Sequence, residues 1–163
     1  MLSHIKKRKI QGFTIIEVLI VLAIAGLIML VVFLAVPALQ RNARNTQRTN
    51  DVASVLGAIN EFVNNNNGLV PDEADVANGT LTISSTTAGT NDVTTKLGYY
   101  KNAGDVSIAS GAIPATNNTD TDSVIVYRNA DCNSIGTIAV GGSSRSIAAN
   151  YTLEANAKQC KAS

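Results

Sequence analysis

A chain of 163 residues has room for one small domain and an attached element, not for two full domains. Aromatic residues make up 4% and Trp is absent, so any core past Gly68 is thin and built from small β-branched side chains. The formal net charge is +1, but four of the 13 basic residues (Lys6, Lys7, Arg8 and Lys9) fall in the first twelve positions; the other 9 face 12 acidic residues, a balance of −3 that argues against a general nucleic-acid binder.

Residues 1–12 read as a basic leader. Val18 to Leu39 then gives 22 consecutive residues without a charge. As a helix that run rises about 33 Å, enough to cross a hydrocarbon layer about 30 Å thick. The Lys6–Lys9 cluster keeps the leader cytoplasmic and sends the C-terminal part outside, although Arg41, Arg44 and Arg48 on the far side weaken the asymmetry. An ordinary secretory signal fits poorly, because the apolar run is too long and no Ala-x-Ala site closes it. A plain single-pass anchor fits better, except at Glu17. A carboxylate at the head of an apolar run is costly and points to a specific partner.

The segment Gly12-Phe13-Thr14-Ile15-Ile16-Glu17-Val18-Leu19-Ile20, running on to Ile28, resembles the class III signal of type IV prepilins and pseudopilins. That pattern is a basic leader ending in Gly, a Phe, a small or apolar triplet, a Glu and a long apolar helix. The resemblance covers about 30 of the 163 residues. It implies that a prepilin peptidase cuts between Gly12 and Phe13 and methylates the new amine of Phe13. It also implies that Glu17 engages the Phe13 amine of a neighbouring subunit during filament assembly. Charge chemistry agrees with that role: a carboxylate and an ammonium in low dielectric attract strongly, and either alone is penalised by several kcal/mol. Gly26 matches a position where pilins often carry glycine. Their common proline falls a turn earlier, where this chain has Leu34; here Pro37 removes one helix hydrogen bond and should kink or locally unwind the helix. The stretch Val31 to Arg44 also resembles pilins of host-attached, reduced-genome bacteria.

Beyond the transmembrane and filament-core helix (13–39), residues 40–67 read as an amphipathic helix half. Val52, Val55, Leu56, Ile59, Phe62 and Val63 recur at three- and four-residue steps, the mark of one buried face. Arg41, Arg44 and Arg48 fall on a shared stripe, read as a solvated face, or else as a contact with lipid headgroups or neighbouring subunits. Asn64 to Gly68 should stop the helix. Residues 68–163 read as an antiparallel β head domain. The firmest strand is Ser123–Arg128; Thr80–Ser84 and Val106–Ala109 are shorter candidates, and Ile135–Val140 with Ser146–Leu153 suggests a hairpin around Gly141-Gly142-Ser143-Ser144. The fold class is therefore α+β, with a long N-terminal helix packed on a small sheet.

Cys132 and Cys160 form an even count beyond a membrane segment, as in a translocated domain with a disulfide; buried free thiols are the alternative. In the pilin family a C-terminal disulfide commonly frames a variable surface loop, and these two cysteines look like that pair. The only histidine, His4, lies in the leader, and no nucleophile set, phosphate loop or zinc spacing is apparent. Asp72, Glu73 and Asp75, or Asn117 to Asp122, could hold a cation, but neither has the Gly and distal Glu of an EF-hand, and a solvated loop is the favoured reading. Asn78, Asn117 and Asn150 head N-x-Ser/Thr triplets that arise by chance in so Thr- and Asn-rich a chain. The sequence thus implies no enzyme, cofactor or metal. The resemblance to type IV prepilins implies a structural subunit (a major pilin) that polymerises with copies of itself into an extracellular type IV pilus for adhesion, twitching motility or DNA uptake. Its other partners would be the prepilin peptidase, the inner-membrane assembly machinery and, before assembly, the membrane. A pseudopilin of a type II secretion system is the alternative.

Overall fold

The computed structural model describes residues 12–109, 122–137 and 139–163. The leader cluster Lys6–Lys9, His4 and residues 117–121 of the candidate cation loop lie outside that set. The chain divides into two compact units, Met1–Gln40 and Arg41–Ser163.

Helix α1 spans Ile15–Asn65. Its start is set by Thr14, whose carbonyl accepts the first helical hydrogen bond from Val18 N–H at 3.4 Å. Its end falls where the run of asparagines predicts. Asn67 and Gly68 both adopt positive φ (55° and 86°), and Gly68 N–H closes back on Val63 O at 2.8 Å. In the first unit every described residue is exposed, including the apolar run. That stretch is long and apolar enough to cross a membrane. The helix continues through Pro37, so the local unwinding expected there is absent from the single chain.

In the second unit the sheets are laid on one face of α1. Strands β1 (Glu73–Ala77), β2 (Thr80–Ser84) and β3 (Val93–Lys96) form an antiparallel sheet in that order. Asn78 and Gly79, both at positive φ, make the two-residue turn between β1 and β2. Strands β4 (Val106–Ala109), β5 (Val124–Arg128), β8 (Ile147–Leu153) and β9 (Ala157–Ala162) form a second sheet, in the order β4-β5-β8-β9. Its β4–β5 pair is parallel, so the head is mixed and not wholly antiparallel. Strands β6 (Ala130–Cys132) and β7 (Ala139–Gly141) make a small hairpin.

The core follows the helical spacing. Val52, Val55, Leu56, Ile59 and Phe62 meet Leu81 and Ile83 of the first sheet and Val124, Val126, Ile147 and Tyr151 of the second. A smaller cluster of Tyr127, Ala130, Ala139 and Ala148 lies on the other side of β5 and β8. There the β6–β7 hairpin covers the second sheet, and Ala139 N–H donates to the side-chain oxygen of buried Asn150 at 3.1 Å. This second layer overturns the expected 135–153 hairpin. β7 turns back onto β6, while β8 pairs with β5 and β9. Residues 134–137 form turns and bends, and Ile138 lies outside the described residues.

Candidate functional site

The residues singled out at the N-terminus stand at the start of α1. Gly12, Phe13 and Thr14 have no regular secondary structure, and Phe13 is 90% exposed. Thr14 and Glu17 make a reciprocal capping box. Thr14 N–H and Thr14 Oγ–H both donate to Glu17 Oε2 (2.8 and 2.7 Å), and Glu17 N–H donates to Thr14 Oγ at 3.3 Å. The Glu17 carboxylate, costly at the head of an apolar run, is thus satisfied within its own chain. Thr14 was not among the sequence candidates, although Thr-x-x-Glu before an apolar run is a legible capping signature. Gly26 is exposed, and a Cβ added there would meet nothing within 4 Å. Exposed Pro37 lies inside the helix.

In the second unit a polar cluster ties α1 to the β head, and it corrects the reading of the arginine stripe. Arg41 and Arg44 are exposed, but Arg48 is 2% exposed. Its guanidinium lies 4.3 Å from the Tyr99 ring centroid, donates to Thr152 O at 3.4 Å and to Tyr99 Oη, and stands 3.5 Å from Asp122 Oδ1. The planar, delocalised cation tolerates burial because an aromatic face and oxygen acceptors replace its water. One helical turn on, buried Asp51 gathers three backbone N–H groups. Gly98 donates to Oδ1 at 2.9 Å, and Tyr99 and Tyr100 to Oδ2 at 2.6 and 3.2 Å. Arg44 forms a two-point ion pair with Glu154, which holds the Glu154 carboxyl below the usual carboxylate range; Asn45 Oδ1 accepts the Glu154 N–H at 2.9 Å. Arginines read as solvent-facing are therefore part of the attachment of the helix to the sheets.

Cys132 on β6 and Cys160 on β9 are disulfide-bonded, with Cα atoms 5.7 Å apart. The bond closes over the second cluster, and Cys160 N–H donates to Gly136 O at 2.8 Å. Asp72 is occupied by Thr86, which donates from N–H (2.9 Å) and Oγ (2.7 Å) and lowers its carboxyl below the usual range. Among the described residues no three His, Cys, Asp or Glu side chains come together as a metal site would need.

Residues 7–33 match the family model of the prokaryotic N-terminal methylation motif. The chain therefore carries the class III signal of type IV pilins, and that signal spans the capping box and most of the apolar run, as far as Phe33. Neither a curated protein nor a solved structure matches the chain. The motif implies processing by a peptidase and delivery to a pilus-type assembly machinery, and with the apolar helix it fits membrane insertion before assembly. A motif of this type suggests a structural protein.

Proposed function

We propose that this chain is the precursor of a major type IV pilin, cut between Gly12 and Phe13, methylated on the Phe13 amine, and polymerised through its N-terminal helix into an extracellular fibre used for adhesion, twitching or DNA uptake. The observation that carries the reading is the methylation motif at 7–33 running into an apolar helix whose every described residue to Leu39 is exposed. So much unpartnered apolar surface is stable only in lipid or against other chains. The membrane before assembly and neighbouring copies of this chain after it would offer the two surroundings in turn. In the fibre, Glu17 would exchange its Thr14 partners for the Phe13 ammonium of a neighbour, while Gly26 and Pro37 would let the helix bend or open during packing. The disulfide in the head favours the surface fibre over a pseudopilin of a type II secretion system. Mass spectrometry of the membrane and sheared-fibre fractions should find a chain that starts at N-methylated Phe13. A mature chain that keeps Lys6–Lys9, or one that begins beyond Leu39, would overturn the proposal. A chain cut at Phe13 but found only in a secretion complex would select the pseudopilin.

A further inference from the structure

Hydrolysis of the leader adds one water across the Gly12 C–Phe13 N bond, leaving a Gly12 carboxylate and a Phe13 amine. A peptidase can do this only if the bond is accessible and extended. Inside an α-helix the scissile carbonyl is hydrogen-bonded four residues ahead and shielded by the turn around it. The residues after Thr14 are helical without interruption to Asn65, and neither Gly12 nor Phe13 is a proline that would stop that helix from growing backwards.

We infer that Thr14 is a positioning residue for leader cleavage: its capping box ends the helix one residue beyond the scissile bond and keeps Gly12–Phe13 extended for the peptidase. The inference rests on the proposed cut at Gly12–Phe13. Two backbone groups would have to re-pair as the helix grew backwards across that bond and on into the leader, and Thr14 engages both. Glu17 N–H, which a longer helix would give to Phe13 O, is held by Thr14 Oγ at 3.3 Å. Thr14 N–H, which would turn to a carbonyl four residues upstream, is held by Glu17 Oε2 at 2.8 Å. The first helical bond is accordingly Val18 N–H to Thr14 O, and Gly12 and Phe13 stay outside the helix. Thr14 contributes its oxygen to the cap and Glu17 its carboxylate, so the residue assigned to assembly also helps frame the cleavage site.

The test uses full-length precursor in membranes with a prepilin peptidase, following the initial rate of Phe13 release. Thr14→Ala should slow cleavage roughly two- to thirtyfold, the range that loss of a cap oxygen spans, while Thr14→Ser should stay within about twofold of wild type. Adding Ile15→Pro to Thr14→Ala should restore the rate, because proline at the first helical position fixes the helix start and holds residue 14 extended without any hydroxyl. Backbone carbon shifts of Gly12 and Phe13 in micelle-embedded precursor should be extended in wild type and in the Ala/Pro variant, and helical in Thr14→Ala. Cleavage of Thr14→Ala at the wild-type rate would overturn the inference. So would rescue by serine but not by proline, since the peptidase would then be reading the hydroxyl itself. Wild-type precursor left uncut at Gly12–Phe13 would instead bring down the functional reading, and this inference with it.

Discussion

Glu17 and Arg48 are two charged residues on one helix, and each became interpretable through the oxygens and aromatic faces around it. Glu17 is satisfied by Thr14 in the single chain and exposed along with everything around it. On the proposed reading, Glu17→Ala should still insert, since the change leaves the apolar run intact. It should still be cut, though more slowly, because the carboxylate half of the cap is lost while Thr14 Oγ can still accept the N–H of residue 17. Its head should fold, since the core begins at Arg48. Polymerisation should nevertheless fail, because a neighbour's Phe13 ammonium would enter an apolar packing unpaired. Stranding one member of a buried pair costs about 3–5 kcal/mol, a loss of several hundredfold or more per contact. Electron microscopy of cells carrying only Glu17→Ala should show few or no fibres, and normal fibre number and length would exclude the carboxylate from assembly. Arg48 was misread because charge alone suggests solvent. Its position gave the better signal: 48, 52, 55, 59 and 62 continue a single four-three alternation into the buried face.

The elements legible in the sequence were those with a strong local cause. The 3.6-residue period and the terminal asparagines delimited α1, and alternating β-branched residues marked β2, β4 and β5. Asn78-Gly79 is a two-residue hairpin signal that was read only as a sequon, so β1 went unseen beside β2. Strands β6 and β7 are three residues each, too short to show a period. Their pairing answers a non-local demand, the covering of the outward face of β8. Nothing local distinguishes that demand from the hairpin suggested by Gly141 to Ser144. The parallel β4–β5 pair is likewise a matter of topology. The cysteines staple these weakly signalled elements, joining the short β6 to the edge strand β9. Closing a loop of about 29 residues stabilises by roughly 3.5 kcal/mol on the chain-entropy estimate. Reduction, or Cys132→Ser with Cys160→Ser, should lower the unfolding free energy of the head by about that amount, read by extrapolating denaturant unfolding curves to water, with a steeper slope because the uncrosslinked unfolded chain exposes more surface. An unchanged unfolding free energy would mean that β6, β7 and β9 hold their places without the bond.

For the whole chain, composition alone calls for two different surroundings, because an uncharged run of 22 residues and a Thr/Asn-rich remainder cannot share one solvent. What was not legible is how the amphipathic part of the helix is held by its domain. Asp51 collects three N–H groups of residues 98–100, and Arg48 reaches Tyr99, Asp122 and Thr152; these are contacts across about 50 to 100 residues of sequence that no local pattern records. They carry a consequence for the isolated second unit. Among the described residues, every buried side chain lies at Arg48 or later, and residues 12–44 bury nothing. A fragment of residues 41–163 therefore keeps the whole core, both buried charges with their partners, the Arg44–Glu154 pair and the disulfide. It loses the apolar surface that makes the full chain require lipid or other chains. Asn42, near its new end, can cap the shortened helix. Produced in an oxidising compartment, this fragment should be a soluble monomer by light scattering and should unfold in one cooperative transition. Its Asp51→Ala variant should be several kcal/mol less stable than Asp51→Asn, because alanine leaves three N–H donors without an acceptor whereas asparagine keeps one oxygen among them. A fragment that aggregates, or melts without a cooperative transition while its disulfide is intact, would show that the head needs residues upstream of Arg41 to complete its fold.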